Sequence, residues 1–379
     1  MTGVQTCALP IYFSTGTSAA AAGGITLVFE MPNTIPPVDS DARLLEKKEL
    51  VRPKAHVDFA LHGLVRDTST ASGIEKMIKS GAIGFKAFMG PTTGNIPPPS
   101  HGTLYEVLDV LSKHGVPLLV HAEDDNLINY FTSKAKGPDP FEHLKSRPYV
   151  CEMFSAMELL SLSEYTGAKV HIVHISSRHV LKVLKWAREY GINLSGETCT
   201  HYLFLNSDIY KKVGNIARMN PPIREKEDSE ALLNAIRDGT ILTIGSDHSP
   251  HTLEEKLSDN PPSGMPGLET QVPLLLNAVK EGRLDLTDIV RLLSENVAKL
   301  FGLYPRYGAV LPGSRGNLTI VSLNSETKIN AQKFYSKAKY SPFDGAVLSG
   351  KVMYTIVGGD IAYDGEVHDV RGEFVSKIS

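Results

Sequence analysis

At 379 residues, with 42% hydrophobic and 21% charged side chains, the chain has the make-up of a soluble globular protein with a large core. Its net charge of −3 offers no basic surplus, so composition gives no support to a nucleic-acid or anionic-membrane partner. Cys7, Cys151 and Cys199 show no CxxC spacing, which points to a reduced, cytoplasmic setting. No apolar run approaches the roughly 20 residues that a membrane span needs.

The chain opens on MTGVQTCALPIY. These twelve residues lack the charged start and long apolar middle of a secretion signal and resemble translated adapter read-through. Residues 1–12 are therefore expected to be a foreign segment standing in place of a native start. From residue 13 onward, short apolar runs rich in β-branched residues alternate with helix-like stretches. The runs are 25–30, 57–62, 83–88, 116–121, 169–175, 192–198 and 241–246, and they have the character of buried parallel strands. Helical patterns cover 14–22, 102–114, 152–166, 178–190, 227–238, 268–281 and 286–302.

Repeated strand–helix units predict an α/β parallel sheet, and their number points to a (β/α)₈ barrel over residues 13–303. Such a barrel needs eight strands and seven are visible. The absent native first strand belongs upstream of the helix at 14–22. Residues 304–379 differ, with short strands at 317–322, 350–357 and 360–363 set between Gly, Pro and Asn turns. They predict a small β-rich domain. Ile96-Pro97-Pro98-Pro99 follows a strand end and predicts a loop.

In a barrel, chemistry sits at the C-terminal ends of the strands. Lys86, His121, His174 and Asp247 all fall at or just after such ends. A lone strand-end histidine is more often a hydrogen-bonded structural residue than a ligand. Four candidates in register across four strands reverse that expectation, and their residue types suit a hydrolytic metal centre. Lys86 lies inside an apolar strand, where a free ammonium is costly unless it is paired, snorkels outward, or is converted by CO₂ to a carbamate able to bridge two metals. Glu123 and Asp124 follow His121 and either orient the imidazole or form a solvated turn. His171 and His174 are three apart, so on a strand they face opposite sides. His174 is the better ligand, and His171 reads as structural. Asp247 follows an apolar run and suits a metal ligand that also takes a proton from water.

These segments carry a specific resemblance. Glu30-Met31-Pro32-Asn33-Thr34, GFKAFMG, HAED, HIVHISS, GETCTHYL, Met219-Asn220-Pro221-Pro222-Ile223-Arg224, GSDHSPHTLEEK and PGLET stand in order along the chain. Together they resemble the cyclic amidohydrolases of the dihydroorotase, allantoinase and hydantoinase group, from about residue 13 to the C-terminus. The resemblance implies a metal-dependent barrel that opens a cyclic amide. Lys86, His121, His174 and Asp247 match the ligand positions, for two zinc ions in an intact protein, with Lys86 carbamylated. Asp247 would also act catalytically, taking a proton from the attacking water and passing it to the leaving nitrogen.

One departure stands out. Members end their first strand in an HxH pair, often followed by an arginine that grips a substrate carboxylate. Here the first histidine is His56. The chain as written is expected to bind metal incompletely and to turn over poorly.

HIVHISS and GETCTHYL resemble allantoinases and hydantoinases. MPNT, RMNPPIR, SDHSPH and PGLET resemble dihydroorotases more closely. They imply contacts from Asn33, Asn220 and His251 to the ring and carboxylate of dihydroorotate, with reversible interconversion with N-carbamoyl-L-aspartate, a step of pyrimidine synthesis, as the reaction. The alternatives are an allantoinase or a hydantoinase/dihydropyrimidinase, or a non-catalytic scaffold of the same fold. Against these, Asn33 and Asn220 could merely shape turns before prolines. Relatives imply a homo-oligomer acting on a small molecule, with a β-sandwich built from both chain ends. Without its N-terminal half, that sandwich should have open edges.

Overall fold

Eight parallel strands hydrogen-bond side by side in chain order: β1 (Thr2–Val4), β2 (Leu27–Glu30), β3 (Asp58–Leu64), β4 (Gly84–Phe88), β5 (Leu118–His121), β6 (Val170–Ile172), β7 (Leu194–Cys199) and β8 (Thr243–Gly245). The structure, a computed structural model, describes residues 2–4, 11–91 and 96–377. β1 returns beside β8, so the sheet closes on itself as the predicted barrel. The seven predicted runs are β2 to β8. They are legible because parallel strands covered on both faces lose the polar alternation of half-exposed ones. Every described side chain of β2, β3, β4, β5, β6 and β8 is buried.

β1 comes from the foreign-looking segment, with Thr2, Gly3 and Val4 in register with Val28, Phe29 and Glu30. The first-strand position is therefore filled, but by residues that carry no imidazole. Residues 1 and 5–10 of that segment lie outside the described residues.

Helices cross between the strands where caps allow. His101–His114 starts at Ser100, whose hydroxyl accepts from Thr103 N, and stops at Gly115 with φ 58°. Tyr149–Thr166 stops in the same way at Gly167. The helix expected across 286–302 is not regular. Leu286–Val290 and Asn296–Leu300 are joined by a wide π turn, Arg291–Glu295.

After the barrel, β9 (Leu318–Lys328), β10 (Val347–Val357) and β11 (Asp360–Tyr363) form an antiparallel sheet in the order β11-β10-β9. Among the described residues β9 pairs on one side only, and its Leu318 and Ile320 are exposed. The tail then returns to the far end of the barrel. Phe59 N donates to Glu373 O at 2.9 Å and Val375 N to Phe59 O at 2.8 Å. Gly372 is required there, because a Cβ would lie 1.8 Å from Val57 O. Asp58, fully buried at the start of β3, gathers this end of the molecule. It accepts from Arg315 Nε at 2.7 Å, Asn317 Nδ2 at 2.8 Å, Glu373 N at 2.7 Å and Tyr307 OH at 3.2 Å.

Candidate metal centre

The ends of β4, β5, β6 and β8 bring Lys86, His121, His174 and Asp247 to one end of the barrel, as parallel strands in chain order must. His121 and His174 meet directly. Nδ1 of His121 lies 3.1 Å from Nε2 of His174, and the rings stand edge to face at 4.8 Å. Two nitrogens of a tetrahedral zinc site with bonds near 2.0–2.1 Å are about 3.3 Å apart, so the pair is spaced as two ligands of one ion. Both imidazoles are pushed well below their usual range, by burial first and then by neighbouring positive groups. They are therefore held neutral, the form that binds metal.

Lys86 is fully buried, and its Nζ has no hydrogen-bond partner, lying 5.0 Å from the centre of the Phe88 ring. Burial lowers its amine to about 7, against the pull of Glu197, Asp247 and Cys199. Asp247 is pushed up to about 8, by burial and by Glu197, while Lys86 opposes the shift. His174 and Asp247 share a further property. With φ of 45° and 41°, they are the non-glycine residues in the left-handed region among the described residues. His and Asp tolerate that region better than bulkier types.

The buried, unpartnered Lys86 Nζ and the His121–His174 spacing fit one divalent metal held by two imidazoles, with Lys86 as the third group. They do not extend to a second. Among the described residues no three His, Cys, Asp or Glu side chains gather closely enough to hold an ion.

Asn33, Asn220 and His251, expected from the sequence to contact substrate, occupy loops beside the strand ends. Asn33 follows β2 and is buried. Asn220 lies between β7 and β8, and its side chain hydrogen-bonds the His143 imidazole. His251 follows β8, with Nε2 3.2 Å from Ser263 O and Nδ1 3.8 Å from Glu255 Oε2. His171 places Nδ1 2.8 Å from Ser195 Oγ and Nε2 3.1 Å from Thr243 Oγ1, which occupies both ring nitrogens.

Several site residues carried a weaker signal in the sequence. Glu197, inside β7, approaches His171 at 3.6 Å and is the first of the acids acting on Lys86. A carboxylate inside a run that reads as a strand was the available sign. Gly245 of β8 makes room for it, since a Cβ there would lie 2.5 Å from Glu197 Oε1. The solvated-turn alternative for the acids after His121 is corrected for Glu123. Its carboxylate is fully buried, 3.0 Å from His121 Nε2 and paired with Arg147. Arg147 also donates to Pro91 O at 2.8 Å, and its carbonyl accepts from Arg224 Nη1 at 3.0 Å. Arg224 in turn pairs with buried Glu152 at 2.5 Å. Asp124 caps the next helix, accepting from Leu127 N at 2.8 Å. His62 and His201 are buried, each with an unpartnered Nε2.

Known proteins match this arrangement along most of its length. The Amidohydrolase family profile covers residues 9–362. An L-hydantoinase of Paenarthrobacter aurescens is 34% identical over 378 residues, spanning 96% of this chain and 82% of its own. A dihydroorotase of Methanothermobacter thermautotrophicus is 35% identical over 368 residues, with the same two coverages. Among solved structures, the L-hydantoinase (dihydropyrimidinase) from Arthrobacter aurescens superposes with a TM-score of 0.93 at 32% identity, covering 99% of this chain and 88% of that one. Similarity of this extent, in sequence and in fold together, establishes that the chain belongs to the amidohydrolase family.

Proposed function

We propose that the site opens and closes a cyclic amide ring, with dihydroorotate and N-carbamoyl-L-aspartate as its pair of substrates. The observation that carries this reading is the polar trio Asn33, Asn220 and His251. It comes from three separate loops over the strand ends. A buried amide, a half-buried amide and an imidazole there offer both donors and acceptors to a ring bearing N–H, C=O and carboxylate groups. The likeness to dihydroorotases from Methanothermobacter thermautotrophicus and Methanosphaera stadtmanae, at 35% and 32% identity, supports the same choice.

His121, His174 and a carbamylated Lys86 would hold a divalent metal, zinc fitting the nitrogen donors, and bound there it supplies an activated water and a polarised ring carbonyl. Asp247, buried at the end of β8, is placed to hold the proton lost by the water and return it to the ring nitrogen. Asn33, Asn220 and His251 bind and orient the ring. Because this chain supplies no HxH pair, its turnover is expected to be low.

A second reading is a hydantoin-type ring, favoured by the 0.93 superposition on an L-hydantoinase. Rates of dihydroorotate and hydantoin hydrolysis at equal concentration separate the two. They would be measured with zinc, on this chain and on a version given an HxH-bearing first strand. Faster dihydroorotate turnover supports the first reading, and faster hydantoin turnover replaces it with the second. Zinc-loaded protein inert to both would return weight to a scaffold.

A further inference from the structure

A cation stands near the substrate loops without an acid to balance it. Arg147 pairs with Glu123 and Arg224 with Glu152, but Arg218 has no such partner among the described residues. Its Nε is buried and unpartnered among the described residues, and the hydrogen bond from its Nη1 to Pro138 O is long, at 3.4 Å. Burial and the Arg147 guanidinium both bear against its charge. A guanidinium with idle donors in a partly desolvated setting is costly unless an anion joins it.

His143 shows where this group stands. Its Nε2 lies 2.9 Å from Met219 O, and its imidazole also hydrogen-bonds the Asn220 side chain. Burial, Arg218 and Arg147 push the imidazole down against those two bonds, so it adds no charge of its own. Arg218 and Asn220 thus both stand against one neutral imidazole, while Met219, between them in one short segment, belongs to the core.

The segment is also anchored. Gly264 N donates to Arg218 O at 2.9 Å, and the buried Lys256 Nζ donates to the same oxygen at 3.0 Å. Lys256 further donates to Pro262 O and Gly264 O, each at 2.9 Å. It therefore ties the loop carrying Asn220 to the loop carrying His251.

We propose that Arg218 is a specificity-determining residue, which grips the substrate carboxylate beside Asn220. This rests on the dihydroorotate reading. It gives this chain a source for the contact that the resemblance assigns to an arginine after the first strand, where this chain has none. A planar fork of donors suits a carboxylate, whereas a hydantoin or dihydrouracil ring has no carboxylate for it to bind.

The test is binding, which needs no turnover. Affinities for dihydroorotate and for dihydrouracil, the same ring without its carboxylate, would be measured by calorimetry with zinc present. Wild type, Arg218→Gln and Arg218→Lys would be compared, with thermal melts as a check of folding. Expected is tighter binding of dihydroorotate by wild type. Arg218→Gln should lose about 10-fold or more for dihydroorotate alone, with Arg218→Lys in between. If dihydroorotate is preferred but Arg218→Gln leaves that preference intact, or weakens both ligands equally, the assignment of Arg218 fails while the substrate reading stands. If wild type shows no preference, or binds neither ring, the substrate reading fails and the assignment falls with it. Should Arg218→Gln melt early, Arg218→Lys decides by the same comparison, since it keeps the charge and loses the fork.

Discussion

Nδ1 of His121 faces Nε2 of His174 at 3.1 Å, across the ends of two neighbouring strands. Such a pair has a shared use, and a stoichiometry follows from it. Wild type is expected to take up one zinc per chain. Even partners of a ligand are worth about 10–100-fold in metal affinity, so His121→Ala or His174→Ala should cost more than about 100-fold. Competition against a chromogenic chelator measures both quantities. Two tightly held ions would contradict the single-metal donor set.

Lys86 predicts an opposition between stability and function. It is a fully buried cation without a hydrogen-bond partner. Lys86→Met should therefore stabilise the metal-free protein by about 1–2 kcal/mol while removing metal uptake. The sign with pH is fixed by the lowered amine, at about 7 when folded. Between pH 7 and pH 10 the unfolded chain binds the extra proton, so wild-type stability rises with pH across that window. The advantage of Lys86→Met should accordingly be greatest at pH 7 and below, and should fade toward pH 10. Urea titrations with EDTA at pH 7 and pH 9.5 check this.

Two buried imidazoles make the protein acid-labile. Burial lowers His62 to about 4 and His201 to about 3, from an ordinary value near 6.5. Their folded forms stay neutral, so the stability they support is present above pH 6.5 and is lost as the pH falls toward 4 and 3. At about 1.4 kcal/mol per pH unit, His62 alone accounts for about 3 kcal/mol by pH 4. Replacing His201 with Phe should flatten the pH dependence of the urea midpoint. An unchanged slope would show that this imidazole does not titrate on unfolding.

Asp58 holds the opposite end of the barrel. Asp58→Ala leaves Arg315 and Asn317 without their acceptor and should cost about 3–5 kcal/mol. Removing both partners of the pair is gentler than removing one, so Asp58→Ala with Arg315→Met should recover part of that loss. Chemical denaturation of the two single variants and the double variant measures the coupling. Strict additivity would mean that the pair is not a unit.

Much of the barrel was legible because its strands are simple apolar runs, and Lys86, His121, His174 and Asp247 stood out as polar residues closing those runs. β1 was not legible, because three residues of mixed character take their strand form from pairing with β2. The helix at 286–302 was read as regular, since the pattern of apolar residues does not reveal a π turn. Glu123 and Arg147 are 24 residues apart in the chain, and Glu152 and Arg224 are 72 apart. Their meaning comes from packing that no local pattern encodes. The same holds for Glu197, in sequence only one polar residue among several in its strand, whose neighbours Lys86 and Gly245 come from other strands.

The return of the tail to Phe59 has a consequence for how the chain is made. The backbone of Phe59 in β3 takes partners from Glu373 and Val375, more than 300 residues later in the chain. Asp58 likewise waits for Arg315, Asn317 and Glu373. The barrel's far end cannot be completed before residues 372–375 have been made, however early its strands assemble. A nascent chain halted before residue 372 would hold a nearly formed barrel with the Phe59 N–H and C=O unmet and the buried Asp58 carboxylate short of a donor. Emergence of that late stretch, rather than of the barrel strands themselves, is then the event that commits this end of the protein to its final structure.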